Sequence, residues 1–338
     1  MKLHWNAAFV SMLLTKLLTK AAALTSAAQR LRSLYSSNGT GSSGKLETAI
    51  VLPGCHDALS AKIYANAGAK ALFLSGFGVS ACKIGQPDVG VLTLTEMENA
   101  LRSVVQASRG VPVIVDGDTG FGGSVNVRRT VRAFAAAGAA AVTIEDQEFP
   151  KKCTYAAGKG VKVVSREDSS VRIQAALAAR DEARDIDGNE ILVIARTDCR
   201  ASLGFNEALE RCKMYEKLGA DICYAENLQT REEYINLREA IKPTTATLLA
   251  QVQTGDEHQI LYSAQDIGEM NYNFALFGVT ALQAYARSVE MSARIMMAPD
   301  SSGLVEMNSD LHLSSFTDLK SAIGFEESEE FATKFDRS

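Results

Sequence analysis

Eight short apolar runs, each followed by a helical run, recur along the body of this 338-residue chain. That alternation implies a parallel sheet, because each helix carries the chain back to start the next strand in the same direction. The runs are Ala49–Leu52, Ala71–Ser75, Val111–Asp116, Ala141–Glu145, Ile191–Arg196, Ile222–Ala225, Thr247–Val252 and Phe274–Phe277. Helices are predicted after each, among them Ala58–Ala67, Val125–Ala137, Glu167–Arg184, Asn206–Leu218 and Thr280–Met296. Ser165-Arg166-Glu167-Asp168 reads as a capping box, and Thr95-Glu96-Met97-Glu98 as another. Gly68, Gly138 and Gly219 stand where helices should stop.

Eight such units fit a closed (β/α)8 barrel of about 250 residues. The rival is an open doubly wound sheet, which calls for a glycine fingerprint after its first strand. The turn there reads Pro53-Gly54-Cys55-His56-Asp57, which is no such fingerprint. The strand ends also carry the unusual polar residues: Ser75-Gly76, Asp116-Gly117-Asp118, Glu145-Asp146, Arg196-Thr197-Asp198 and Glu226-Asn227. A barrel gathers these ends on one face, whereas an open sheet spreads them too far apart to cooperate. The expected fold is therefore an α/β, TIM-type (β/α)8 barrel over residues 47–297. A helical extension follows over 298–338, marked by Phe316-Thr317-Asp318-Leu319 and the acidic Glu326–Phe331 run.

Residues 1–46 differ in composition. No Asp or Glu occurs from Met1 to Lys45, while Lys2, Lys16, Lys20, Arg30, Arg32 and Lys45 are basic. This composition predicts a targeting segment for a mitochondrion or plastid, and a cytoplasmic protein if the segment is only a disordered tail. Ser36-Ser37-Asn38-Gly39-Thr40-Gly41-Ser42-Ser43-Gly44 reads as a flexible linker. Lys16 and Lys20 interrupt the apolar Leu13–Leu24 region, so no membrane span and no membrane partner are expected. The net charge of -5, with no basic stripe in the body, argues against a nucleic-acid partner. None of the six cysteines lies in a C-x-x-C pair, so they read as reduced thiols.

The chemistry centres on Val113-Ile114-Val115-Asp116-Gly117-Asp118. An apolar strand there delivers two acids, which period-two alternation would point the same way. Glu145 ends the next strand. Bare buried carboxylates are costly unless a positive group meets them, so Asp116, Asp118 and Glu145 are the expected ligands of one hard cation, magnesium, with manganese as its substitute. Arg196 is placed to grip a substrate carboxylate bidentately; the competing reading is a structural ion pair with Glu145 or Glu226. Ser75 and Gly76 offer a hydroxyl and backbone N–H groups to an anionic oxygen. The loop Phe149–Gly160 is too long for a minimal connection and reads as a mobile lid. On it, Cys153 beside Lys151 and Lys152 is a candidate proton donor.

These motifs resemble the isocitrate lyase/phosphoenolpyruvate mutase superfamily. The likeness runs over roughly residues 49–296 and rests on Asp57-Ala58-Leu59-Ser60-Ala61, Asp116-Gly117-Asp118-Thr119-Gly120-Phe121-Gly122, Ile144-Glu145-Asp146-Gln147, Pro150-Lys151-Lys152-Cys153 and Ala195-Arg196-Thr197-Asp198. The resemblance implies a barrel whose eighth helix is swapped between subunits of a dimer or tetramer, and small 2-oxo or 2-hydroxy acids as substrates. It implies Mg²⁺ on Asp116, Asp118 and Glu145, partly through water. Ser75, Gly76, Phe77, Asp88, Arg196, Glu226 and Gln251 form the expected substrate-binding set. Cys153, Lys151 and Arg196 are the expected catalytic residues. The gate departs from the lyase pattern, with Thr154-Tyr155 in place of Gly-His. Gln251, Gln253 and Gln283 stand near positions where lyases carry an Asn-Glu pair and an Arg. The loss of charge points away from a tricarboxylate and toward an oxaloacetate-like or 2-substituted-malate substrate. The expected activity is a Mg²⁺-dependent carbon–carbon lyase. The alternatives are a phosphonomutase, of the carboxyvinyl-carboxyphosphonate phosphorylmutase or phosphoenolpyruvate mutase type, and a non-catalytic metal-binding relative.

Overall fold

Strand alternation and closure set the architecture. In the computed structural model, which describes residues 25–36, 46–257, 259–297 and 313–335, eight parallel strands pair in sequence order and close into a barrel. They are β1 (Ile50–Cys55), β2 (Leu72–Leu74), β3 (Val113–Asp116), β4 (Ala141–Glu145), β5 (Leu192–Thr197), β6 (Ile222–Ala225), β7 (Ala246–Ala250) and β8 (Phe274–Phe277). Each overlaps its predicted run. Closure is made by β1 against β8, with Ile50 opposite Phe274 and Pro53 opposite Phe277. A closed barrel leaves no unpaired edge.

Alternate residues of each strand face inward and fill the barrel with Leu52, Phe73, Ile114, Ala141, Ile194, Leu248 and Phe274. The opposite faces pack under the outer helices, as Val115, Val142 and Val193 do with Met97, Val131 and Ile173. Those helices are α2 (Ala58–Asn66), α3 (Leu94–Ala107), α4 (Ser124–Ala136), α5 (Arg166–Asp185), α6 (Phe205–Leu218), α7 (Arg231–Ala240), α8 (Ala264–Glu269) and α9 (Thr280–Met296), preceded in the chain by α1 (Ala27–Ser36). Ser165 caps α5 as predicted, accepting from the Asp168 N–H. The other predicted box is shifted: Thr93, not Thr95, caps α3, and its reciprocal partner is Glu96. Thr93 is the residue that stands three before a glutamate able to reach back, which is what the motif needs. Gly219 ends α6 in the left-handed conformation, φ 98°.

Helix α1 revises the N-terminal boundary. Residues 27–36 fall within the segment set apart as targeting and linker, yet they fold onto the body. Ala28 and Leu31 are fully buried against the inward-facing strand residues, and the Tyr35 ring stands edge-on to Phe274 at 5.7 Å. Arg32 pairs with Asp221 at 2.8 Å, and Ser26 donates to Glu190 at 2.7 Å. The sequence carried a signal for this helix: Ser26 and Gln29 form a reciprocal capping pair. Residues 1–24 and the greater part of the predicted linker lie outside the described residues.

At the other end of the chain, α10 (Phe316–Ile323) and α11 (Phe325–Phe335) follow the two runs that marked the extension. Lys62 of α2 donates to the Ile323 carbonyl at 2.7 Å, tying α10 to the barrel. Among the described residues, no helix is long and apolar enough to cross a membrane.

Candidate active site

The C-terminal ends of the strands open into a cavity of about 470 Å³. Asp116 ends β3 with its carboxylate turned inward. It accepts from the Gly76 N–H at 3.3 Å and the Asp118 N–H at 3.2 Å. The two aspartates do share a face, but not through strand alternation as expected. β3 ends at Asp116, and Asp118 returns to the site through a turn, at φ 47°. The turn passes close to β4: a Cβ on Gly117 would lie 2.6 Å from the Thr143 carbonyl oxygen. Only glycine fits there.

Register places Glu145 beside Arg196 on the neighbouring strand. The Arg196 guanidinium binds Asp198 through Nε at 2.6 Å and Nη2 at 3.0 Å, Glu226 at 3.1 Å and Glu145 at 3.5 Å. It is thus engaged in the structural ion pairs that were the competing reading. Glu226 is further held by the Tyr224 hydroxyl, the Tyr155 hydroxyl at 3.0 Å and the Asn227 N–H at 3.1 Å. Behind this layer, Asp146 fastens β4 to β5, accepting from Thr197 at 2.6 Å, the Asp198 N–H at 2.9 Å and Arg211 at 2.8 Å.

The gate enters from above. Lys151 is buried and bridges Asp118 and Asp88, the latter at 2.8 Å. Gln147 clamps the gate backbone, donating to the Lys152 carbonyl at 2.9 Å and accepting from its N–H at 2.8 Å. Cys153 is partly exposed and lines the cavity with Phe77, Ser75 and Tyr155. On the far wall, the Gln251 side chain is spent on the Tyr262 backbone, at 2.8 and 2.7 Å. Gln283 donates to the Gln253 carbonyl at 2.7 Å. Every predicted site residue except Gly76, Asp118 and Glu145 lines the cavity itself. Those three sit directly behind it: a Cβ on Gly76 would lie 3.1 Å from Asp116 and 3.3 Å from Asp118. Sequence reasoning gave no role to Gln147, Asp198, Tyr155 or Tyr224. Their position beside the recognised motif residues was the available signal.

The site carries surplus negative charge. Asp88, Asp116, Asp118, Glu145, Asp198 and Glu226 crowd together, and among the described residues the ion pairs of this group are made by Lys151 and Arg196. Burial pushes the Asp118 carboxyl up to about 7, Lys151 opposing and Asp116 and Asp88 adding to the rise. Burial likewise raises Glu145 well above the carboxylate range, with Asp198 adding and Arg196 opposing. Burial opposes the Lys151 charge, but Asp118, Glu145 and Asp88 outweigh it and hold the ammonium protonated. The Glu145 Oε1 atom is buried without a hydrogen-bond partner. This is the environment a divalent cation relieves. Among the described residues, no three acid, histidine or cysteine side chains converge tightly enough to hold a bare ion. What the site does offer is a set of hard oxygen donors, including the unpartnered Glu145 Oε1, of the chemical type that hard cations take.

A barrel of this topology, with acids and a lysine–cysteine gate at its strand ends, defines a class, and comparison with known proteins gives the same class. The chain belongs to the phosphoenolpyruvate phosphomutase family, whose model matches residues 44–297. It is 38% identical over 240 residues to the 2,3-dimethylmalate lyase of Eubacterium barkeri, an alignment covering 71% of this chain and 78% of that one. The fold matches oxaloacetate acetylhydrolase in complex with 3,3-difluorooxalacetate at a TM-score of 0.77 and 29% identity, over 91% of this chain and 97% of that one. It also matches phosphonopyruvate hydrolase in complex with oxalate and Mg²⁺, at a TM-score of 0.74 and 26% identity, over 93% and 100% of the two chains.

Proposed function

We propose that this protein is a magnesium-dependent carbon–carbon lyase. Its substrate is a small 2-hydroxy or 2-oxo dicarboxylate of the oxaloacetate or 2-substituted-malate kind, cleaved through an enolate-type intermediate. The observation that carries the reading is the juxtaposition of the acid cluster on the cavity floor with the Cys153 thiol on the gate above it. Asp116, Asp118 and Glu145 would hold the ion, and when bound it supplies Lewis-acid stabilisation of developing negative charge. Manganese would serve in its place. Ser75 lines the same edge and offers its hydroxyl as an oxyanion donor, while the Gly76 N–H, which donates to Asp116, orients that carboxylate. Lys151 holds Asp118 and Asp88 together, and so draws the gate onto the acids. In cleavage of a 2-hydroxy acid, or of a 2-oxo acid first hydrated by water to its gem-diol, a base takes a hydroxyl proton, that C–O bond becomes a carbonyl and the bond to the neighbouring carbon breaks. The electron pair leaves on that carbon, and Cys153 returns a proton to it. The uncharged far wall of Gln251, Gln253 and Gln283 supports a dicarboxylate over a tricarboxylate.

A phosphonomutase is the second reading, favoured by the family model itself. Wild-type and Cys153→Ala proteins, each with Mg²⁺ and a panel of malate-type acids plus phosphonopyruvate, separate the two. A lyase turns over an acid and loses that turnover with the thiol. Turnover of phosphonates alone, indifferent to Cys153→Ala, sinks the lyase reading. No turnover at all, with metal still bound, leaves the non-catalytic relative.

Self-association into a dimer or tetramer with a swapped α9 is part of the same proposal. It is supported by an eighth helix that has no buried residue in the single chain. Sedimentation showing only monomers would refute it. Targeting to a mitochondrion or plastid is proposed from composition, for the residues that precede α1. A fluorescent fusion of residues 1–25 that stays diffuse in the cytoplasm would refute that.

A further inference from the structure

The gate is pinched at its base. Gln147 and Val163 form an antiparallel bridge, and the Glu148 N–H donates to the Lys162 carbonyl at 3.0 Å. The first half of the excursion is then anchored twice, by Lys151 on Asp118 and Asp88 and by Gln147 on the Lys152 backbone. The second half is anchored differently. Among the described residues from Thr154 to Gly160, Tyr155 is the one whose side chain hydrogen-bonds to the barrel, its hydroxyl donating to Glu226 Oε1 at 3.0 Å. The other Glu226 oxygen meets Arg196 Nη2 at 3.1 Å and the Tyr224 hydroxyl. Arg196 in turn stacks over the Tyr224 ring, 5.2 Å from its centroid.

We propose that Tyr155 is a positioning residue: a latch that holds the short helix Thr154–Ala157, and the Cys153 that caps it, shut over the cavity by binding Glu226. The acceptor carboxyl pairs with the Arg196 guanidinium and takes the Tyr155 and Tyr224 hydroxyls and the Asn227 N–H. Burial raises its pKa and Arg196 opposes the rise, and a bond in such a buried ion-paired network is worth more than an ordinary surface contact. Burial and the neighbouring Glu226 push the Tyr155 phenol well above its usual range, so the hydroxyl keeps its proton and donates. Because Glu226 also holds Arg196, the latch joins gate closure to the arrangement of the guanidinium. The inference rests on reading this cavity as the reaction site, but its test needs no turnover.

The readout is the rate at which Cys153 is alkylated by a bulky maleimide, in a Cys82→Ser background. Cys82 is the exposed thiol, and Cys55, Cys199, Cys212 and Cys223 are buried. Tyr155→Phe removes one oxygen and leaves the ring. It should raise the Cys153 rate on the order of tenfold, in line with losing a hydrogen bond in a buried ion-paired network. The melting temperature should fall by no more than about 2–4 °C. In a Glu226→Ala background the same substitution should change the rate less than twofold, since the latch is already gone. An unchanged rate in Tyr155→Phe overturns the proposal. So does an equal acceleration in both backgrounds, which would place the latch elsewhere than on Glu226.

Discussion

The two ends of the barrel are built from the same strands and do opposite things. At the N-terminal end, inward residues such as Leu52, Ile114 and Phe274 pack under Ala28 and Leu31 of α1, and the end is sealed. At the C-terminal end the inward series changes within two residues. Ile114 is followed by Asp116, Thr143 by Glu145, Ile194 by Arg196 and Tyr224 by Glu226. The floor has close-packed apolar contacts and gains stability from them. The mouth holds crowded charge, and burial raises the pKa of its acids. Stability is thus concentrated at one end and chemistry at the other, as (β/α)8 barrels characteristically divide them.

This contrast predicts that substitutions at the two ends separate stability from function. Phe274→Ala, on the floor, should lower unfolding stability by about 3–5 kcal/mol in urea denaturation. Metal affinity of the folded fraction should stay the same; its loss would show that the ends are not independent. Glu145→Gln, at the mouth, should do the reverse. Mn²⁺ affinity by calorimetry should fall by at least the roughly 10- to 100-fold that follows loss of an outer-shell partner. The metal-free protein should melt about where the wild type does at neutral pH, because burial already disfavours the charged form of Glu145. A lower melting point would mean that Glu145 supports the fold. A smaller effect is expected from Ser26→Ala, which removes the α1 cap at the cost of about 1 kcal/mol, again with metal binding intact. The smallest is Arg32→Gln. Its half-exposed pair with Asp221 should be worth only about 0–1 kcal/mol, and less in high salt.

Much of the barrel was legible because its signals are local. A β-rich apolar run followed by a helix is visible residue by residue, and eight of them leave few ways to close. The acids at 116, 118 and 145 were legible as well, since charge at the end of an apolar strand is conspicuous. Helix α1 was misread because an acid-free composition outweighed a periodicity of only ten residues. The role of Arg196 was open for a different reason. Its partners Glu145, Asp198 and Glu226 belong to three successive strand ends, and only closure shows that they all reach it.

The chain by itself determined the strand count, the helix caps and the identity of the acids, all of which depend on neighbours a few residues away. Tertiary structure alone decided which groups share a charge environment. Asp118 reaches the site through a left-handed turn rather than along the strand pleat. Lys151 crosses from the gate to neutralise it. The Gln251 amide is spent on the Tyr262 backbone. Electrostatics depends on distance in space and on burial, and neither can be read from separation along the chain.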